Sequence, residues 1–403
     1  MNLSGDQPLR VLAADDSAVV RGIMRKLFQM QVEDPTRGLP PMELCGTAQD
    51  GQECLEAVAR LNPDVLVLDL EMPRLNGLDV LDRLRTQRPG LSVIMCSSHT
   101  ERGAQSTLEA LARGASDYVM KPSAQRDLAA ALQSLSQQLL PKIAALVQRR
   151  RRTIEDGPSA IARPASSHKA PEKEGAPIEA VVIGLSTGGP SALENMLPKL
   201  PPSFPVPILI VQHMPKLFTG ALADRLNRCC ALRVMEAYDG APIVPGTIWL
   251  APGDSHMEVA PRWVGFGADD GTMTGRATRI KLHQQAPLNH CRPSVEYLFH
   301  SAARIYGAGV LALVMTGMGA DGLEGARAVH KAGGTVLAQD EATSAVWGMP
   351  GRVAEAGIAS AIVPLGSIAI ELRQRVAADR TNRSGVAERL VGVLRREGTH
   401  GLL

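Results

Sequence analysis

Three short stretches carry the residue types of a hydrolytic site. Ser186 lies in GLSTGG after the apolar run AVVI, His213 closes PILIVQHMP, and Asp321 lies in TGMGADG after GVLALV. A serine hydroxyl attacks an acyl carbon when a base takes its proton, and an imidazole does this best when a carboxylate orients it. The order Ser, His, Asp along the chain differs from the best-known orders, but such sets are recognised by geometry rather than position. Gly184, Gly188 and Gly189 let the backbone turn sharply beside Ser186, and the helix start that follows can aim amides at a developing oxyanion. Taken singly, Ser186 and Asp321 also suit helix N-caps and His213 a structural role. Other histidines compete for the role of base: His256 in APGDSHM, which follows a Gly-Asp turn and reads as a loop residue, and His290 in LNHCRPS.

Two of these loops satisfy patterns that belong to other folds. Gly184–Gly188 matches G-x-S-x-G, the nucleophile elbow of α/β-hydrolases, but that fold needs several strands before the serine and a histidine last. Here a polar segment precedes the strand, and no histidine lies between His330 and His400. Gly317–Gly322 matches G-x-G-x-x-G, with Asp340 at the end of the next strand as a dinucleotide site would have it. Against that reading, Asp321 stands at the helix N-terminus, where its carboxylate would repel a pyrophosphate.

A second set of chemistry-bearing residues lies nearer the N-terminus. Asp15 and Asp16 end the run RVLAA, Asp69 ends DVLVL, Ser97 and Ser98 end VIMC, and Lys121 ends DYVM. In an open parallel sheet these strand ends share one edge. Three carboxylates converging there repel one another unless a cation sits among them, and oxygen ligands suit Mg²⁺. A carboxylate beside Mg²⁺ can attack phosphorus, with a lysine and a hydroxyl to receive the new oxygens. The plainer alternative makes Asp16 a cap and Asp69 a turn residue.

The elements that must hold both sets alternate as short apolar runs and amphipathic stretches, the rhythm of parallel sheets flanked by helices. The expected fold class is α/β, with two doubly wound parallel-sheet domains. The first has five strands; the second is larger and carries a β-hairpin in GTIWLAPGDSHMEVAPRWVGF. At 403 residues the chain is long for one core. The expected division is residues 1–140, a connecting segment 141–177, residues 178–375 and a tail 376–403. Within the connector, residues 149–177 lack apolar periodicity and concentrate Arg, Pro, Ser, Ala and Glu.

Composition narrows the partners. A net charge of +2, from 43 basic and 41 acidic residues, gives no global field toward nucleic acid or a membrane surface. Only 3% of residues are aromatic, too few for a base-stacking platform. The six cysteines form no CxxC pair, and the N-terminus has no signal-peptide core, which together suggest a reducing cytoplasm. No run approaches about 18 apolar residues, so no direct membrane insertion is expected.

Residues 8–140 resemble the receiver domain of two-component response regulators, a five-stranded flavodoxin-like fold. The motifs are DD at 15–16, DLEMPRLNG, VIMCSS and YVMKP. The resemblance implies that Asp69 is the phosphoacceptor, that Asp15, Asp16, Asp69 and the main-chain carbonyl of Glu71 hold Mg²⁺, and that Ser97 and Lys121 receive the phosphoryl group. It also implies a cis peptide between Lys121 and Pro122. An insertion, EDPTRGLPPM, departs from the pattern away from the acidic edge.

IGLSTGGPSAL, QHMPKLFTGALADRLN, APGDSHM, NHCRPSVEYLF and TGMGADG resemble the catalytic domain of chemotaxis protein-glutamate methylesterases over residues 178–372. Carried over by motif, Ser186 is the nucleophile, His213 the base and then acid, and Asp321 the orienting carboxylate. Backbone amides near Thr187 and Met318 are the implied oxyanion donors. The expected reactions are hydrolysis of glutamate γ-methyl esters, releasing methanol, and deamidation of glutamine on methyl-accepting chemoreceptors. A sensor histidine kinase would supply the phosphoryl group, and the catalytic domain would need no cofactor. A receiver-controlled docking module and a nucleotide-binding protein are the competing classes.

Overall fold

The computed structural model describes residues 7–33, 36, 38–122, 127–155, 176–261 and 278–377, with side chains of 149–155 excepted. The first half runs β1 (Leu9–Ala14), α1 (Ala18–Glu33), β2 (Met42–Ala48), α2 (Gly51–Leu61), β3 (Val65–Asp69), α3 (Gly77–Gln87), β4 (Ser92–Ser97), α4 (Glu101–Ala112), β5 (Asp117–Met120) and α5 (Leu128–Glu155). Its five strands pair in parallel in the order β2-β1-β3-β4-β5. The order reverses between β1 and β3, so the crevice at their carboxyl ends collects Asp15 and Asp69. β3 is buried on both faces, which is why it reads as the unbroken apolar run VLVL rather than an alternation.

The second half continues β6 (Ala180–Leu185), α6 (Gly189–Met196), β7 (Ile208–Gln212), α7 (Lys216–Cys229), β8 (Arg233–Glu236), β9 (Thr247–Leu250), β10 (His256–Pro261), β11 (Thr278–His283), α8 (Val295–Tyr306), β12 (Val310–Val314), α9 (Leu323–Lys331), β13 (Thr335–Gln339), α10 (Met349–Glu355) and β14 (Ala361–Val363). A last helix, α11, spans residues 365–377. Seven strands form one parallel sheet, β14-β13-β12-β6-β7-β9-β8. β6 lies at its centre, flanked by β7 on one side and β12 on the other, and this is where the order reverses. Ser186, His213 and Thr316 therefore all fall just beyond the carboxyl ends of three neighbouring strands.

Three expectations need correction. α5 runs unbroken to Glu155, so the connector does not start at 141; Pro141 lies inside the helix, and the apolar stripe Leu139, Leu140, Ile143, Ala144 and Val147 is buried. That stripe's packing outweighs the breaking tendency of one proline. TIWL does not pair with HMEVAP as a hairpin. TIWL is β9 of the main sheet, and β10 pairs antiparallel with β11, TRIKLH, across residues 262–277, which lie outside the described residues. The peptide before Pro122 is not cis; among the described residues the cis bond is Arg292–Pro293. An X–Pro bond favours trans by only about 0.5–1 kcal/mol, so surroundings rather than the residue pair decide the isomer. The expected tail lies outside the described residues from 378 onward.

The halves meet through apolar contact. α4 packs against α6 and α7, and the rings of Tyr118 and Phe218 stack with centroids 4.8 Å apart and planes 8° from parallel. The hydroxyl of Ser191 in α6 donates to the carbonyl of Leu111 in α4 at 3.3 Å. Met318 and Val346 join the apolar cluster that contains the buried face of α5.

Candidate active site and acidic edge

Parallel pairing sets Leu185 opposite Gln212, and the His213 amide donates to the Leu185 carbonyl at 3.1 Å. The next residues along the two strands, Ser186 and His213, are thereby brought side by side. On the other flank the Ser186 amide donates to the carbonyl of Thr316 at 3.0 Å, and the Gln212 side-chain amide donates to the Ser186 carbonyl at 3.0 Å. The Thr316 hydroxyl donates to the Thr187 carbonyl, while the Thr316 amide reaches the side chain of buried Gln339. The serine loop is thus pinned from both neighbouring strands. Gly317 is required there: a Cβ would lie 2.4 Å from the Met349 sulfur and 2.9 Å from the Ser186 Cβ. Gly188 takes φ +79, a left-handed conformation that starts α6.

His213 Nε2 and Asp321 Oδ2 lie 2.8 Å apart. Asp321 is not free to wander. Its Oδ1 accepts from the Ser294 hydroxyl at 2.6 Å and the Asn289 amide at 2.9 Å, and its Oδ2 also accepts from the Val295 amide at 2.7 Å. The carboxylate therefore sits at the N-terminus of α8, in a favourable field. Burial pushes the Asp321 carboxyl up, but the hydrogen bonds from His213, Ser294 and Asn289 outweigh it and hold the group below the ordinary carboxylate range.

With Nε2 committed to Asp321, the other ring nitrogen is the one available for proton transfer. In this structure the Cys291 sulfur is 3.5 Å from His213 Nδ1, and the Ser186 hydroxyl makes no hydrogen bond within 3.5 Å to a described residue. Hydrogen bonds of this kind often tighten only when substrate is bound. Burial pulls the His213 ring down, yet Asp321 and Cys291 outweigh it and push the ring up to about 9. Among the described residues the amides of Thr187 and Met318 donate to no protein carbonyl.

His256 is not a loop residue. It begins β10, is fully buried, accepts from the Ser294 amide at 3.1 Å through Nδ1, and has Nε2 3.3 Å from the Ala286 carbonyl. Burial lowers its pKa, which suits a neutral ring with one donor and one acceptor. It supports the Asp321 anchor rather than competing for its role. His290 has φ +63 in the loop ahead of α8 and forms no part of the His213–Asp321 pair. Asp340 accepts from the Thr343 amide at 3.1 Å, which closes a turn just after β13. Asn289, Ser294, Glu296, Gln212 and Gln339 escaped the sequence reading. Only the stretch LNHCRPSVE hinted at three of them, through its Asn and through a Ser followed by a Glu at the start of a helix.

At the other edge, Asp15 and Asp69 are buried and Asp16 is exposed, and one oxygen from each lies within 4.8 Å of the others. Lys121 Nζ is 2.7 Å from Asp69 Oδ2 and 3.1 Å from Asp15 Oδ2. Burial raises the Asp69 carboxyl to about 6, with Asp15 adding repulsion and Lys121 opposing it. Three carboxylates against one ammonium leave a negative excess in a cleft with oxygen donors, so the residues fit a hard divalent cation. The Glu71 amide hydrogen-bonds to Asp69, placing its peptide at the rim. Ser97 is fully buried, accepting from the Thr107 hydroxyl at 2.7 Å and lying 3.3 Å from the Gly103 carbonyl in α4.

Fold and sites together define a class: a response-regulator receiver joined to a parallel-sheet catalytic domain. Family models agree, with a response regulator receiver domain matching residues 11–133 and CheB methylesterase matching residues 181–372. A protein-glutamate methylesterase/protein-glutamine glutaminase from Nocardioides is 41% identical over 375 residues, covering 92% of this chain and 96% of its own. The second enzyme of that name in Caulobacter vibrioides is 44% identical over 360 residues, covering 89% and 96%. The crystal structure of the Thermotoga maritima CheB methylesterase catalytic domain covers 49% of this chain and 98% of its own at 41% identity, with a TM-score of 0.44. The chain belongs to the protein-glutamate methylesterase/protein-glutamine glutaminase family. No helix among the described residues is long and apolar enough to cross a membrane.

Proposed function

We propose that this chain hydrolyses glutamate γ-methyl esters, and deamidates glutamines, on the cytoplasmic domains of chemoreceptors, and that phosphorylation of Asp69 by a histidine kinase activates it. The observation that carries the reading is the His213–Asp321 contact of 2.8 Å, with Ser186 on the adjacent strand end. Asp321 fixes the ring with Nε2 as donor, leaving Nδ1 to take the Ser186 proton as the oxygen attacks the ester carbon. The amides of Thr187 and Met318 receive the charge that develops on the carbonyl oxygen. His213 then returns the proton to the leaving methanol, and water repeats the cycle to free the glutamate. An amide substrate follows the same steps and releases ammonia.

The receiver supplies control. Asp15, Asp16, Asp69 and the Glu71 carbonyl would hold Mg²⁺, which offsets charge as Asp69 accepts a phosphoryl group. Lys121 is placed to pair with the new oxygens. Ser97 already contacts α4 through Gly103 and Thr107, and α4 packs on α6 and α7, the two helices that begin just after Ser186 and His213. Movement of Ser97 toward a phosphoryl group would loosen that packing, which supports a two-state release of the active edge. Methanol release from methylated receptor membranes, with and without a small phosphodonor, tests the reading. Release that survives Ser186→Ala would refute the nucleophile, and stimulation that survives Asp69→Asn would refute the switch.

A further inference from the structure

The pair formed by His213 and Cys291 has a use that ester hydrolysis does not require. Nδ1 of His213 and the sulfur of Cys291 lie 3.5 Å apart, and both residues are partly open to solvent. A tetrahedral zinc ion with a nitrogen at about 2.0–2.1 Å and a sulfur at about 2.3 Å separates the two ligand atoms by about 3.5 Å. Protein zinc sites also hold the ligating imidazole by a carboxylate on its other nitrogen. Asp321 does this at 2.8 Å and is itself fixed by Ser294, Asn289 and Val295. These bonds commit both Asp321 oxygens, so the carboxylate acts as the support of the imidazole, with water to complete the coordination.

We propose that His213 Nδ1 and Cys291 Sγ form a binding site for a thiophilic divalent cation such as Zn²⁺, and that occupancy inhibits the esterase. The ion takes the lone pair that would accept the Ser186 proton, so the two uses of His213 exclude each other. The acidic edge of the receiver offers oxygen donors and lysine, without sulfur. The two sites therefore select different metals.

The inhibitory half rests on the proposed role of His213 as base, whereas the binding half does not, and the experiment separates them. The full chain is used with Cys229→Ser and Cys230→Ser, which remove the neighbouring thiol pair near the end of α7, and with excess Mg²⁺ present. Titration with Co²⁺ is followed by the sulfur-to-cobalt charge-transfer absorption, and Zn²⁺ by methanol release relative to each protein's own zinc-free rate. The expected results are a charge-transfer band lost in Cys291→Ala, inhibition by Zn²⁺ reversed by a chelator, and a rise of about 10–100-fold in the zinc needed for inhibition of Cys291→Ala. A band that is absent, or that persists in Cys291→Ala, overturns the site. A band that Cys291→Ala abolishes, with no inhibition by Zn²⁺, keeps a cysteine-bound ion and overturns the inhibition.

Discussion

Glu296 and Asp321 cap each other's helices. Asp321, just ahead of α9, accepts the Val295 amide at the start of α8, while Glu296 in the first turn of α8 accepts the amides of Gly322, Glu324 and Gly325 at the start of α9. Each carboxylate answers the donors the other helix leaves unpaired, and each sits at a positive helix end. The exchange fixes Asp321 relative to His213 without any loop having to be stiff on its own.

Glu296→Ala strands three amides in a buried setting. The expected loss is about 2–4 kcal/mol of unfolding free energy, read by denaturant titration, with a fall in kcat from a displaced Asp321. Glu296→Gln keeps a carbonyl acceptor and should recover part of both. A variant as stable as the parent would show that α9 finds other caps.

Asp321→Asn keeps the size of the side chain but removes the charge that orients His213. By comparison with serine hydrolases generally, kcat should fall by about 10⁴-fold with the fold retained by circular dichroism. A loss under about 10-fold would mean that the imidazole is held without the carboxylate.

The pH profile follows from His213. Its ring is raised to about 9, so it is largely protonated near neutrality and methanol release should climb as pH rises through about 9. For stability the sign is opposite. A histidine raised above its usual value of about 6.5 contributes fully below that value, and the contribution is lost as pH rises through about 9. Cys291→Ala removes one of the two groups raising the ring, so the kinetic midpoint should move to lower pH. A midpoint unchanged by that substitution would assign the whole shift to Asp321.

Tyr118→Ala removes the ring that stacks on Phe218 across the two halves. On the proposed switch, the unphosphorylated rate should rise, while the rate with phosphodonor changes little. An equal rise in both would place Tyr118 in the catalytic step instead.

The strand-end chemistry was legible because parallel sheets gather their carboxyl ends, and apolar runs such as VLVLD and VVIGL announce buried strands. Ser186 and His213 could be placed at strand ends for the same reason, while their grouping with Asp321 rested on the family resemblance. What anchors Asp321 could not be named. Ser294, Asn289 and His256 lie far from it in sequence, and a single polar residue before a helix looks alike whether it caps that helix or braces a distant carboxylate. β10 and β11 were missed as a pair because residues 262–277 separate them and neither is long. The helix after β5 continues past Pro141 to Glu155, held by the buried Leu139, Leu140 and Ile143.

That unbroken helix has a kinetic meaning. From Glu155 to the first described residue after it, 176, the chain can span at most about 70–75 Å. On the proposed switch, a receiver that lets go of α6 and α7 therefore stays covalently tethered within that reach. Rebinding is then unimolecular and independent of how much protein the cell holds. The lifetime of the acyl phosphate, rather than protein abundance, would time the return to rest.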